Sequence, residues 1–139
     1  MGGISFGGTC SLQLATNAPE VYGNFLDMSG QAEPTLGNRQ ETVKRAFGGN
    51  PAAFADVNPL DLMHRRTFRT TAGVFVAGSS DSDYLPQQRS AYEASRTAGM
   101  HTAWKELPGG HNWGVWKRAL SEELSWLSRQ TGITPSGTR

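Results

Sequence analysis

Apolar positions fall into two kinds of run along this chain, short continuous stretches and stretches at helical spacing, and the two alternate. Residues 8–18 place Leu12, Ala15 and Ala18 on one face at helical spacing, and Pro19 stops the run. After a turn, the apolar-rich segment Asn24 to Met28 is closed by Ser29-Gly30, which predicts a strand. Ala72 to Ala77 is a continuous apolar run of the sort buried on both faces of a parallel sheet. A polar turn, Gly78 to Asp83, leads into a helix opened by Pro86 and stopped at Gly99. Thr102 to Leu107 predicts another strand, nearer an edge because Lys105 and Glu106 interrupt it. Trp113, Trp116, Leu120, Leu124 and Leu127, at offsets of 3, 4, 4 and 3, predict an amphipathic helix ending near Thr131 with that stripe inward.

Residues 31–69 break the alternation. They are polar and punctuated by Pro34, Gly37, Gly48-Gly49-Asn50-Pro51 and Asn58-Pro59, with one short helix expected over Arg39 to Ala46. A long connection inside a compact domain lids or binds something, so this excursion is expected to be lid-like. The remaining order predicts an α/β fold of about three parallel strands with flanking helices, one domain over 1–131 and a frayed tail over 132–139. Right-handed crossovers would bring the turns at Ser29, Asp81 and His111 to one rim, where open α/β sheets bind ligands.

Composition narrows the function. Hydrophobic residues make up 37% of the 139, ordinary for a globular domain, and 13 Lys and Arg against 12 Asp and Glu leave +1. That balance gives no electrostatic case for nucleic acid or an anionic membrane. No apolar run is long enough for a membrane span. The one cysteine, Cys10, can form no internal disulfide, and a thiolate metal site is excluded. Neither a metal nor another cofactor is called for.

Gly3-Ile4-Ser5-Phe6-Gly7 matches G-x-S-x-G, in which a serine sits on a strained strand-to-helix turn. Glycines on either side are expected where side chains would collide with the turn. The helix that follows at once suits that reading better than a flexible Gly-rich terminus, and the P-loop lysine of a phosphate cradle is missing. A serine hydroxyl needs a base to take its proton. Of the three histidines, His64 lies in the excursion beside two arginines and His101 opens a strand, whereas His111 sits in a Gly-rich loop after the last strand. The imidazole needs an acid to fix its tautomer. Asp81, nearer the strand end, is favoured, with Asp83 capping the next helix and standing as the alternative acid; Asp27 and Asp61 rank below. The order Ser5, Asp81, His111 is that of α/β-hydrolases.

At these motifs the chain resembles the esterase family of α/β-hydrolases that includes S-formylglutathione hydrolases, feruloyl and acetyl esterases and mycolyltransferases. GISFGGTCSLQLATNAPEVYGNFLDMSG is similar to the family's elbow, helix and following strand, FVAGSSDSDYLPQQR to its acid-bearing turn, and ELPGGHNWGVW to its histidine loop. The resemblance implies Ser5 as nucleophile, Asp81 as acid and His111 as base. It also implies the Phe6 backbone N–H as an oxyanion donor, Trp113 packed behind the histidine, and a small-molecule ester as substrate. Mycolyltransferases resemble the chain less, because they carry a glutamate where this turn offers aspartates; acyl transfer is the nearest alternative. Family members have about five strands before the elbow, so the chain is expected to correspond to the C-terminal part of the fold, with the N-terminal strands absent and activity impaired. A non-catalytic module that self-associates through an exposed sheet edge is the second reading.

Overall fold

The computed structural model describes residues 1–132; the expected tail, apart from Gly132, lies outside the described residues. Four parallel strands, β1 (Gly2–Ile4), β2 (Asn24–Met28), β3 (Ala72–Gly78) and β4 (His101–Leu107), form one sheet in sequence order. Six helices accompany them: α1 (Phe6–Asn17), α2 (Arg39–Ala46), α3 (Pro51–Ala55), α4 (Pro59–Arg65), α5 (Leu85–Thr97) and α6 (Trp113–Thr131). This is the α/β class expected, with one strand more than the three predicted. Gly2-Gly3-Ile4 has no apolar run to announce it; parallel pairing of Gly3 opposite Asp27 and Ile4 opposite Met28 makes it a strand.

The sheet sorts its side chains by alternation. Phe25 and Phe75 point to one face, where they meet edge-to-face at 5.2 Å and pack with Leu12 of α1, Met63 of α4 and Ala91 of α5. Leu26, Met28, Val74 and Val76 point to the other and pack with Val115, Trp116 and Ala119 of α6. The sheet is therefore covered by α1, α4 and α5 on one side and α6 on the other.

Two expectations change. The excursion carries three helices rather than one, because each Asn-Pro pair starts a helix instead of breaking the chain. Pro51 and Pro59 occupy first-turn positions, where a missing N–H costs nothing, and Asn50 Oδ1 accepts from the N–H groups of Ala52 and Ala53. The large apolar stripe of α6 is not wholly inward: Trp113, Leu120 and Leu124 are 64%, 43% and 55% exposed. The buried face is rotated toward Val115, Ala119 and Glu123, whose smaller apolar members fit close to the sheet. Lys105 at the end of β4 fixes that rotation by pairing with Glu122 at 3.1 Å and with Glu123.

Phe75→Ala should cost about 3–5 kcal/mol in urea unfolding, as for a fully buried ring. Leu124→Ala should stay within about 0.5 kcal/mol of wild type, as for a surface position.

Candidate active site

Three of the four strand ends at one rim each supply one side chain. At the end of β1, Ser5 takes φ 50° and ψ −121°, a left-handed conformation that costs a non-glycine residue of order 1–3 kcal/mol. Hydrogen bonds hold it there: its N–H donates to Met28 O at 2.8 Å, and its carbonyl accepts from the N–H groups of Gly8 and Thr9 at 2.9 and 3.1 Å. The turn is so tight that a Cβ on Gly3 would lie 2.3 Å from the Gly7 carbonyl group. Gly7, by contrast, faces open space. The steric need for glycine, expected on both sides of the serine, therefore falls on Gly3.

At the end of β3, Asp81 is buried and divides its carboxylate between two tasks. Oδ1 accepts from the Tyr84 N–H at 3.2 Å at the start of α5, and Oδ2 lies 2.8 Å from His111 Nδ1. Asp83, expected to cap α5, is exposed and makes no cap; its carboxylate meets only Ser82 Oγ, at 3.5 Å. Asp81 caps and contacts histidine with one side chain because its two oxygens point in different directions.

After β4, the loop carrying His111 is docked onto the β3 turn by Ser79 N–H to Leu107 O and Ser80 N–H to Gly109 O, both 2.8 Å. The approach is close enough that a Cβ on Gly78 would sit 2.4 Å from Gly109 O. Asn112 then caps α6 by accepting from Gly114 and Val115. His111 Nε2 lies 2.8 Å from Ser5 Oγ. In the tautomer with its hydrogen on Nδ1, the ring donates to Asp81 Oδ2 and turns the Nε2 lone pair toward the serine hydroxyl.

The imidazole is clamped by rings. Tyr84 stacks on it at 4.3 Å and Trp116 meets it edge-on at 4.9 Å, while Trp116 Nε1 donates to the buried Ser29 Oγ at 3.2 Å. Packing behind the histidine, expected of Trp113, is thus done by Trp116, one helical turn further on; Trp113 packs on Trp116 from outside at 5.5 Å. The turn at Ser29 was expected at this rim, but its contact with Trp116 was not, and neither was Tyr84, although it follows Asp81 by three residues.

The other candidates lie apart. His64 is exposed on α4 and His101 is exposed at the start of β4. Asp61 accepts from Arg39 at 2.7 Å, and Arg39 also pairs with Glu33 at 2.7 Å. Asp27 is buried beneath the rim, its carboxyl pushed up to about 7 by desolvation, an effect that hydrogen bonds from Gln88 and Gly30 only partly offset. The Phe6 N–H is one of the first-turn amides of α1 that have no intrahelical partner. Beside the rim a cleft of about 490 Å³ runs between Gln31, Glu33 and Arg39 of the excursion and Pro86 and Gln87 of α5.

A family described as "Putative esterase" matches residues 1–127. The chain belongs to this esterase family. An uncharacterized protein of Corynebacterium glutamicum is 44% identical to the chain over 139 residues, covering 96% of the chain and 33% of that protein. A ferulic acid esterase superposes with a TM-score of 0.71 at 19% identity, over 92% of the chain and 50% of that structure. The enterobactin esterase of Shigella flexneri gives 0.65 at 20% identity, over 93% and 30%. The acylaminoacyl peptidase of Pyrococcus horikoshii gives 0.66 at 15%, over 99% and 25%. The chain thus spans a third of the length of this curated relative and half or less of these structures, which share its fold.

Gly3→Ala should destabilise the esterase chain by about 1–3 kcal/mol, because the backbone must shift to admit the methyl group. Gly7→Ala should be nearly neutral, and thermal melts of the two variants side by side check the asymmetry.

Proposed function

We propose that the chain carries the reacting residues of a serine ester hydrolase. The observation that supports this best is the pair of 2.8 Å contacts that string Ser5, His111 and Asp81 into one series. In this reading, Ser5 Oγ attacks the acyl carbonyl carbon as His111 Nε2 takes its proton. Asp81 holds the Nδ1–H tautomer and stabilises the imidazolium. The carbonyl oxygen gains negative charge and is met by the Phe6 N–H at the positive end of α1. Collapse of the tetrahedral intermediate expels the alcohol, which leaves with the proton from His111, and an acyl-serine remains. Water then attacks that acyl group with His111 again as base, releasing the acid and restoring the serine.

The strained turn serves this chemistry by lifting Oγ off the sheet into the rim, already aimed at the imidazole. The rings of Tyr84 and Trp116 limit the rotation of the imidazole, which reduces what must be ordered on the way to the transition state. The cleft beside the rim offers a substrate's remote part both apolar surface, from Ala32, Leu60 and Pro86, and hydrogen-bonding groups, from Gln31 and Gln87. Acyl transfer to an alcohol differs only in the hydroxyl that resolves the acyl-serine, and an added alcohol acceptor separates the two by product.

A second reading is favoured by the sheet edge: among the described residues no strand pairs with the outer side of β1. In that reading, two copies associate edge to edge, which sedimentation would reveal as dimers.

A fluorophosphonate probe should label the chain at Ser5, and Ser5→Ala should abolish labelling. His111→Ala should slow it by about 10³-fold or more, and Asp81→Asn by about 10⁴-fold or less, following the pattern of such triads. Labelling that survives Ser5→Ala overturns the assignment.

A further inference from the structure

Beneath the rim lies a buried ionisable group that the reaction does not use. Asp27 is fully buried in β2, on the side of the sheet covered by α1 and α5. Its Oδ1 accepts from the Gly30 N–H at 3.0 Å, and Gln88 of α5, also fully buried, donates from Nε2 to the Gly30 carbonyl at 2.9 Å. The two side chains between them hold both backbone polar groups of Gly30. Each leaves one buried oxygen without a protein partner, Asp27 Oδ2 and Gln88 Oε1. A buried carboxylate oxygen without a donor is costly, and a proton held on Asp27 removes that cost at its own oxygen.

The turn this pair clamps reaches the serine, the ring behind the histidine and α1. Met28 O accepts from the Ser5 N–H, Ser29 at φ 59° accepts from Trp116 behind His111, and the Gln31 N–H donates to Thr9 Oγ1 on α1 at 2.8 Å.

We propose that Asp27 keeps its proton in the folded protein, and that the neutral Asp27–Gln88 pair is a positioning device that fixes the Ser29–Gly30 turn under Ser5 and Trp116. The groups facing the carboxyl are uncharged: Gly8 of α1, Gln88 of α5, Gly30 of the turn, and Gly3 and Phe75 opposite it on the flanking strands. Desolvation therefore meets no cation that would favour the ionised form. The direction of the pH effect follows. The carboxyl lies near 3.8 in an unfolded chain and about 7 in the folded one, so folding takes up a proton between those values. Its contribution to stability is fully present below the lower value and is lost as pH rises through the upper one. The positioning part rests on the serine hydrolase reading; the proton does not.

Infrared spectra of the folded chain at about pH 6 should show a protonated-carboxyl band that titrates away near neutrality and is missing from Asp27→Asn. No band in the wild type, or its persistence in D27N, overturns the proposal. Should D27N fail to fold, Gln88→Leu keeps the carboxyl and should shift the midpoint of the band; an unmoved midpoint overturns the pairing. For positioning, the ratio of wild-type to D27N labelling rates at Ser5 should fall about tenfold from about pH 6 to 8, because D27N stays neutral and any pH dependence common to the two proteins cancels in the ratio. A ratio independent of pH overturns the positioning role. Absence of labelling in both proteins, with the infrared band present, would instead fail the hydrolase reading and leave the proton standing.

Discussion

The structure turns on a left-handed serine between a strand and a helix. A residue at φ 50° persists only if its surroundings over-determine it, and here they do. Parallel pairing of β1 with β2 fixes the chain before Ser5, two amides of α1 fix its carbonyl, and Met28 fixes its N–H. Gly3 leaves room for the turn to close. Because every strand is parallel, the same rim that receives the serine also receives the turns after β2, β3 and β4. One backbone irregularity thus has three independent segments placed around it by topology alone.

The buried polar groups of the rim are organised so that each does more than one thing. Asp81 caps α5 and meets His111, while Ser29 occupies a left-handed position and accepts from Trp116. Such double use is economical in a sheet of four strands, where little interior volume is available for polar networks. It also couples the parts, since a change in one turn is felt through a shared side chain in the next.

Much of this was legible in the residues. The run Ala72 to Ala77 declares its strand because burial on both faces demands unbroken apolar character, and Asn24 to Met28 does so by Phe25, Leu26 and Met28 despite the polar Asn24 and Asp27. Ser5, Asp81 and His111, which the motif and their positions after strands singled out, are the three side chains that lie in series. What could not be read was set by tertiary context. Gly2–Ile4 is a strand only because β2 lies beside it. Asn-Pro pairs look like breakers until their neighbours coil, when the same residues become cap and first turn. Asp81 was separated from Asp83 by its place near the strand end, but that one carboxylate would also cap α5 depended on the directions of its two oxygens. On α6 the bulkiest residues drew attention, whereas Val115 and Ala119 fit closest to the sheet, and so Trp116 rather than Trp113 meets the imidazole.

The docking of the Leu107–Asn112 loop onto the β3 turn has a mechanical consequence. Backbone hydrogen bonds and the Gly78–Gly109 approach join the acid-bearing and imidazole-bearing segments into a single rigid piece. Ser5 belongs to a different piece, the β1–α1 turn, which Met28 O ties to β2. The two 2.8 Å contacts of His111 therefore differ in kind: the one to Asp81 lies within the docked piece, and the one to Ser5 crosses to a second piece that meets the first only through the sheet.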